Sequence, residues 1–481
     1  MDRSRLTRRI ALYGLAGLAG LAGLLVLVAV ALRLFVDPGA HKPRLEAMAS
    51  LALGMQVDIE GGIAFDLLPA VRLTLADVRV GSKSAGFMSA RRATIAVDWL
   101  SLFGQDLRIE RVVLEQPTVA ITRQRDGRFN VEPPPAAGET SAAKQGPDVS
   151  FTDATFTYVD DRFGKEFVAR DCRGNVRQLR HAGGPQATRL GGLSFSADLR
   201  CGEVLKDGYK LSDLVVKVDA KDGVLAMDPF TVRVFDAPGK GSVRADFSVP
   251  LPSYAIDFDV LQFPVEAFFR TASLKPVATG RMDFSARLST RGKTVKELRQ
   301  ALQGTLSLRG KGLVFSGGDL DLAFDRFESS QTFDLVDVGA VFFAGPLGLL
   351  VTKGYDFATL AQRTEGRSEI RTLVSEWKVT AGVAQARDVA MATARNRVAL
   401  QGRLDLVNDR FDDVTLAMVD AKGCATVRQR IRGTFQAPVV EPPNVLESLA
   451  GPALRLLRRG SDLLRGQGCD VFYAGSVAAP K

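Results

Sequence analysis

The chain has 481 residues, of which 46% are hydrophobic and 24% are charged, and its formal net charge is +9. This balance is typical of a folded protein of two or more domains. No basic block with interleaved aromatic residues is present, which argues against nucleic-acid binding. The mild positive charge is consistent with a solvated basic surface, or alternatively with weak attraction to anionic lipid head groups.

The N-terminus predicts a membrane anchor. A basic tail is followed by a run from Ile10 to Leu32 that carries no charged residue, which is long enough to cross the hydrocarbon core as a helix. Because the arginines precede this run, the positive-inside rule places the N-terminus in the cytoplasm and the bulk of the chain outside it. A cleaved signal peptide is the alternative, but its apolar region is usually shorter.

Strands dominate the remainder of the chain. In the stretch IAFDLLPAVRLTL, apolar residues alternate with small or polar ones, which is the period of a strand with one apolar face. Beyond this stretch the apolar parity changes from odd to even positions at Val78 and Val80, and such a slip indicates a bulge or bend. The candidate residues of the apolar face are Ile63, Phe65, Leu67, Val71, Leu73 and Leu75.

Short helices and one linker interrupt this pattern. Helical signals precede Gly54 and Gly304, and an amphipathic segment lies near the C-terminus. A stretch with three consecutive prolines and no aromatic residue predicts a disordered linker. The predicted segments are a cytoplasmic tail (1–9), a transmembrane helix (10–36), an N-terminal β region (37–130), the linker (131–149), a middle β region (150–290) and a C-terminal β region with a terminal amphipathic helix (291–481).

The four cysteines form no CxxC motif, and the chain has two histidines, so we expect neither a metal site nor a cofactor. In a chain placed outside the cytoplasm, an even cysteine count permits disulfides. Proximity in sequence predicts a Cys424–Cys469 pair and a Cys172–Cys201 pair; four buried free thiols are the alternative.

Motifs for catalysis are missing from the sequence. The stretch RGKT resembles the end of a phosphate-binding loop, but Arg287 stands where that loop requires glycine. Neither His41 nor His181 lies in an HExxH motif or beside a candidate nucleophile. Asp319 and Asp321 lack calcium-loop spacing, and alternation on a strand face accounts for them. We therefore expect that the protein is not an enzyme.

A sheet with one apolar face must bury that face against a second layer or another apolar group. Two covers fit the pattern: β-sandwich layers that bury one another, or lipid acyl chains held in the trough of a curled sheet. Both give the same period of two, so periodicity leaves the choice open.

Several stretches carry a family resemblance. The anchor, IEGGIAFDLLPAVRLTLADVRVGS and PTVAITRQRDGRFNV resemble the N-terminal region of the AsmA family, and ELRQALQGTLSLRGKGLVFSGGDL is similar to that family's C-terminal signature. The resemblance implies a mainly β fold: a transmembrane helix followed by a long, curled antiparallel β-groove with a few short helices.

The resemblance also implies a function in the bacterial envelope. We expect a single-pass inner-membrane protein that binds phospholipid or another acyl-chain lipid and contributes to outer-membrane biogenesis and lipid homeostasis. The alternative is a non-lipid interaction protein that modulates the targeting of outer-membrane proteins through an exposed sheet edge. Outer-membrane assembly components are expected partners.

Overall fold

The structure is a computed structural model, and it is mainly β with few short helices, as predicted. It describes residues 42–53, 55–66, 71–82, 85–98, 109–126, 128–130, 146–161, 164–181, 192–206, 209–271, 278–316, 318–322, 324, 366–441, 469 and 471–480. No helix within these ranges is long and apolar enough to span a bilayer. The predicted transmembrane segment and the predicted C-terminal amphipathic helix lie outside them.

The named helices are short, and the strands are mostly long. The helices are α1 (Lys42–Leu53), α2 (Val265–Thr271) and α3 (Val295–Gln300). The strands are β1 (Val57–Ile59), β2 (Ile63–Asp66), β3 (Val71–Ser82), β4 (Ala85–Val97), β5 (Ile109–Arg123), β6 (Asp148–Asp160), β7 (Lys165–His181), β8 (Leu193–Lys206), β9 (Tyr209–Lys221), β10 (Val224–Val234), β11 (Ala237–Asp246), β12 (Ser253–Pro264), β13 (Ala278–Arg291), β14 (Gln303–Phe315), β15 (Ser368–Thr380), β16 (Val383–Ala392), β17 (Arg397–Asp405), β18 (Arg410–Val419), β19 (Ala425–Gly433) and β20 (Pro438–Val440).

The chain divides into two compact units, Met1–His181 and Ala182–Lys481. In the first unit, β1 and β2 both pair with β3, and the antiparallel ladder continues through β4 to β5. Strand β5 then pairs with β6 in parallel, and β6 pairs with β7 in antiparallel. Strand β6 begins at Asp148, inside the predicted linker, so the N-terminal β region and the start of the middle region share one sheet.

The edge of this sheet at β1 is covered by side chains of α1. The backbone N–H of Val57 donates to Ser50 Oγ at 2.8 Å, and that of Ile59 donates to Glu46 Oε1 at 2.8 Å. These donors would otherwise be available to an added strand. Helix α1, which the sequence predicted, therefore closes this edge.

A line of bends crosses the first unit, and we call it the crease: Asp77, Gln116, Asp153 and Asp171, on β3, β5, β6 and β7. Each of these residues has φ between 50° and 53°, in the left-handed region that bends a strand. On β3, Leu75 and Val78 flank the crease and are both buried in one apolar cluster. The bend predicted from the parity change is confirmed, because Asp77 has a left-handed φ while β3 and β4 keep one register on both sides of it. The same face stays apolar on both sides of the bend.

The second unit is an antiparallel ladder in which each strand from β8 to β20 pairs with its neighbours in sequence. Its main core extends from β11 to β19, and Leu313, Ile370 and Leu373 are fully buried there. Helix α2 adds Phe269 to this core, and the segment after β14 adds Phe324. One face of these strands is therefore covered by protein.

The prediction for Asp319 and Asp321 was wrong. Residues 320–322 are helical rather than extended. The Asp319 carboxylate accepts from the backbone N–H of Leu322 at 3.0 Å, and buried Asp321 accepts from the side-chain amide of Asn396 at 2.9 Å. Alternation in the sequence was misleading because Asp319 accepts a local hydrogen bond from the short helix, whereas Asp321 is buried against Asn396, which is distant in sequence.

The C-terminal segment 471–480 covers the other face of the second unit. Phe472, Tyr473 and Val477 pack against small residues of β16 to β18, such as Ala399 and Ala417. The guanidinium of Arg397 lies 5.4 Å from the centroid of the Tyr473 ring and donates to the Val477 carbonyl at 2.9 Å. This part of the sheet is consequently buried on both faces.

A disulfide joins Cys424 to Cys469 just before this segment, with their Cα atoms 5.9 Å apart. That predicted pair is confirmed. Cys172 and Cys201 are each disulfide-bonded as well, so the chain has no free cysteine.

Candidate functional site

The predicted apolar residues near the N-terminus lie on two paired strands. Phe65 of β2 lies opposite Leu73 of β3, and Ile63 lies opposite Leu75. Val71, two residues before Leu73, pairs with Val97 of β4. Because directly opposed residues share a sheet face, the five predicted side chains, Ile63, Phe65, Val71, Leu73 and Leu75, belong to one surface. Leu67 lies outside the described residues.

The same surface continues across β4 to β7. This continuation was not predicted from the sequence. Leu73 pairs with Ile95, Ile95 with Val112, Val112 with Val149, and Val149 with Val176. We call the resulting line across β2 to β7 the outer row: Phe65, Leu73, Ile95, Val112, Val149 and Val176. Cross-strand register is not readable from single strands, and the parallel step from β5 to β6 spans the predicted linker.

The outer row is only partly buried. Phe65 is 39% exposed, and the other five members are half-buried. Towards the crease, burial increases: Leu75 and Ala93 are 7% and 6% exposed, and Ala154 and Cys172 are fully buried. The first unit therefore has a packed apolar centre and an apolar strip that solvent reaches.

The strip is long enough to accommodate one hydrocarbon chain. Six strands spaced about 4.8 Å apart give a row about 24 Å long. The acyl chains of one leaflet occupy half of a hydrocarbon core that is roughly 30 Å thick. The outer row is therefore longer than an acyl chain needs.

The opposite face of the same strands is more polar. Thr74 of β3 pairs with Thr94 of β4, and exposed Arg72 of β3 pairs with exposed Asp66 of β2. Next to the crease, the guanidinium of Arg92 lies 2.8 Å from the Glu115 carboxylate on the half-exposed surface. Leu73 and Thr74 are adjacent in sequence but point to opposite faces, and this makes them a matched pair for experiments.

Within the described ranges, no group of three His, Cys, Asp or Glu side chains could hold a metal ion. The side chains of the outer row are all apolar, so what this row offers is apolar contact. Its predicted members lie together on one face, and their role in binding stays a prediction.

These features define a class: a predominantly antiparallel β protein that carries a partly exposed apolar strip across successive strands. Residues 8–150 match the model of the AsmA family. This match confirms the resemblance predicted for the N-terminal region, and it spans the outer row as far as Val149. Neither a curated protein nor a solved structure matches the chain.

Proposed function

We propose that the protein binds the acyl chains of phospholipid, or of another acyl-chain lipid, along the outer row. The observation that carries the proposal is the partial exposure of an apolar row that crosses six strands, beside a centre that is already packed. Burying such a row against hydrocarbon is favourable by about 25 cal/mol per Å² of apolar surface. The AsmA match over residues 8–150 supports the same role.

In the cell, this activity contributes to outer-membrane biogenesis and lipid homeostasis. The chain is held in the inner membrane by residues 10–36, with the N-terminus in the cytoplasm and the bulk in the periplasm. No catalytic residue is needed. A periplasm-dependent reporter fused after Lys481 should be active, and the full-length protein should fractionate with membranes; release of a soluble mature form contradicts this topology.

Photo-crosslinking in living cells tests the lipid site directly. A photoreactive residue at Leu73 or at Ile95 should capture lipid, which mass spectrometry identifies. The same residue at Thr74 should not, because Thr74 points to the other face. Capture of a protein at Leu73 would favour the alternative, an interaction protein without lipid cargo. The coverage of β1 by α1 already removes one sheet edge from that alternative.

A charge placed in the row provides a second test. Leu73→Asp should abolish lipid capture by a probe at Ile95, because a desolvated carboxylate against hydrocarbon is costly. The amount of folded protein should stay nearly unchanged, since the half-buried site admits water when it is empty. Thr74→Asp is the matched control and should leave capture intact. Collapse of the Leu73→Asp variant, together with no capture in the unmutated protein, would show that protein covers the row.

A further inference from the structure

In the second unit, the turns between strands gather along one end of the sheet and are joined by hydrogen bonds. The backbone N–H of Phe247 donates to the Gly223 carbonyl at 2.9 Å, and that of Gly292 donates to the Pro252 carbonyl at 2.9 Å. The second bond places the β11–β12 turn directly beside the start of α3. We call residues 247–252 together with 292–298 the tip.

The tip exposes aliphatic side chains. Val249 is 38% exposed, Leu251 41% and Val295 70%. Helix α3 has no buried residue, although its sequence is amphipathic. Single exposed aliphatic residues are ordinary, but these three project from two turns that contact each other.

The backbone of the tip is held firmly. The rings of Phe247 and Tyr254 pack edge to face with centroids 5.8 Å apart. Thr294 caps α3, because its side chain accepts from the Glu297 N–H at 3.2 Å, and Glu297 Oε2 accepts in return from the Lys293 N–H at 2.8 Å. An apolar group on an ordered turn loses little further entropy when it inserts into another phase.

The charges at the tip are arranged unequally. Arg291, Lys293 and Lys296 are all exposed. The acidic groups are turned towards their own backbone: Asp246 accepts from the side chain and N–H of Ser248, and these hydrogen bonds lower its pKa. The hydrogen bond from Lys293 N–H likewise lowers the pKa of Glu297. The tip itself therefore carries two exposed lysines and one carboxylate, so basic groups are in excess there.

We propose that the tip docks on the surface of an anionic phospholipid bilayer, with Val249, Leu251 and Val295 entering the interface and the basic side chains meeting the head groups. Lysines beside protruding aliphatic residues suit a membrane surface. Protein interfaces, by contrast, are enriched in aromatic residues and depleted in lysine. This docking does not depend on lipid cargo in the outer row.

The experiment uses the full chain in proteoliposomes whose lipids carry brominated acyl chains, with or without phosphatidylglycerol. Because all four native cysteines are disulfide-bonded, Val295→Cys or Leu251→Cys can be labelled selectively with an environment-sensitive fluorophore. Bromine should quench both labels when phosphatidylglycerol is present. Leu261→Cys is the matched control: Leu261 is 59% exposed in the same unit but outside the tip, and its label should not be quenched.

Charge reversal completes the test. Each basic residue near an anionic surface contributes about fivefold to binding, so Lys293→Glu with Lys296→Glu should weaken phosphatidylglycerol-dependent quenching by at least that factor. Lys311→Glu, on an exposed position of β14, should leave it unchanged. Equal quenching at 261 and 295, quenching independent of phosphatidylglycerol, or a spectral shift without quenching would each overturn the proposal, and the last would indicate contact with protein.

Discussion

Strands β3 to β6 and strands β15 to β18 share the same alternating sequence pattern, but they are covered differently. Along β5, nearly every apolar side chain is half-buried, and Pro117 is buried. Along β18, the run from Leu416 to Val419 is buried on both faces. The difference comes from additional chain: α2, the segment around Phe324 and the C-terminal residues 471–480 supply cover in the second unit. A period of two therefore shows that a strand has an apolar face, and it does not show what covers that face.

The largest expected effect is in strands β15 to β18, which we call the closed region because other parts of the chain cover the sheet there. Leu373→Ala removes a fully buried side chain and should lower the free energy of unfolding by about 2–5 kcal/mol. Leu73→Ala, in the outer row, should cost about 1 kcal/mol, because its side chain is only partly buried. Hydrogen exchange with mass spectrometry of peptides from β15 and β3 measures both. Equal losses would mean that the two regions are packed alike.

Removing the Cys424–Cys469 disulfide should have a slightly smaller effect. The double substitution to alanine frees a loop closed over a sequence separation of 45 and should cost about 2–4 kcal/mol. Residues 471–480 should become sensitive to proteolysis, while β3 to β6 should keep their exchange rates. Faster hydrogen exchange in β3 to β6 as well would show that the stabilities of the two regions are not independent.

The carboxylate of Asp388 should make docking of the C-terminal segment sensitive to acid. Burial by itself raises the pKa of Asp388, but hydrogen bonds from Ser476 and Tyr473 outweigh it and hold the pKa below its ordinary value of 3.8. A depressed carboxyl pKa stabilises the folded state above the ordinary value, and this stabilisation is lost as the pH falls through and below that value.

Limited proteolysis between about pH 6 and pH 3 should therefore release residues 471–480 at the acidic end. Asp388→Asn should weaken docking by about 1–3 kcal/mol at neutral pH, because it leaves the hydrogen bonds poorly matched, and should flatten the pH dependence. An unchanged acid response in this variant would assign the effect to another group.

The smallest effect concerns the crease. Asp77 has φ 51°, which glycine adopts without the penalty of about 1 kcal/mol that a side chain brings. Asp77→Gly should therefore leave stability unchanged or raise it by up to that amount, whereas Asp77→Val should lower it. Asp413, with φ 53° on β18, gives the equivalent comparison in the closed region. Stabilisation by valine at either position would contradict the role of these bends.

Much of the fold was predictable where one local pattern dominates. The alternation in β2 and β3, the bend between Leu75 and Val78, the helix before Gly54 and the Cys424–Cys469 pair were all predicted from neighbouring residues. At Gln116 the crease likewise reverses the parity within β5 without ending the strand.

The remainder depends on contacts that are distant in sequence. Where β4 passes the crease, Arg91 and Arg92 are adjacent in sequence and both exposed, so the alternation is interrupted at that point. Of the outer row, Phe65 and Leu73 were predicted, whereas Ile95, Val112 and Val149 join them only through register. The cover provided by Phe472 and Tyr473 comes from the far end of the chain and leaves no periodic signal in the strands that it buries.

The pairing of strands with their neighbours in sequence also bears on how the protein is made. Hairpins close small loops and form quickly, whereas distant pairings delay folding. Most strands of the second unit can therefore pair one hairpin at a time as the chain emerges, whereas β14 must wait for β15 across residues 316–367. Cys469 and residues 471–480 follow these strands in sequence, so they dock on β16 to β18 only after those strands have been made.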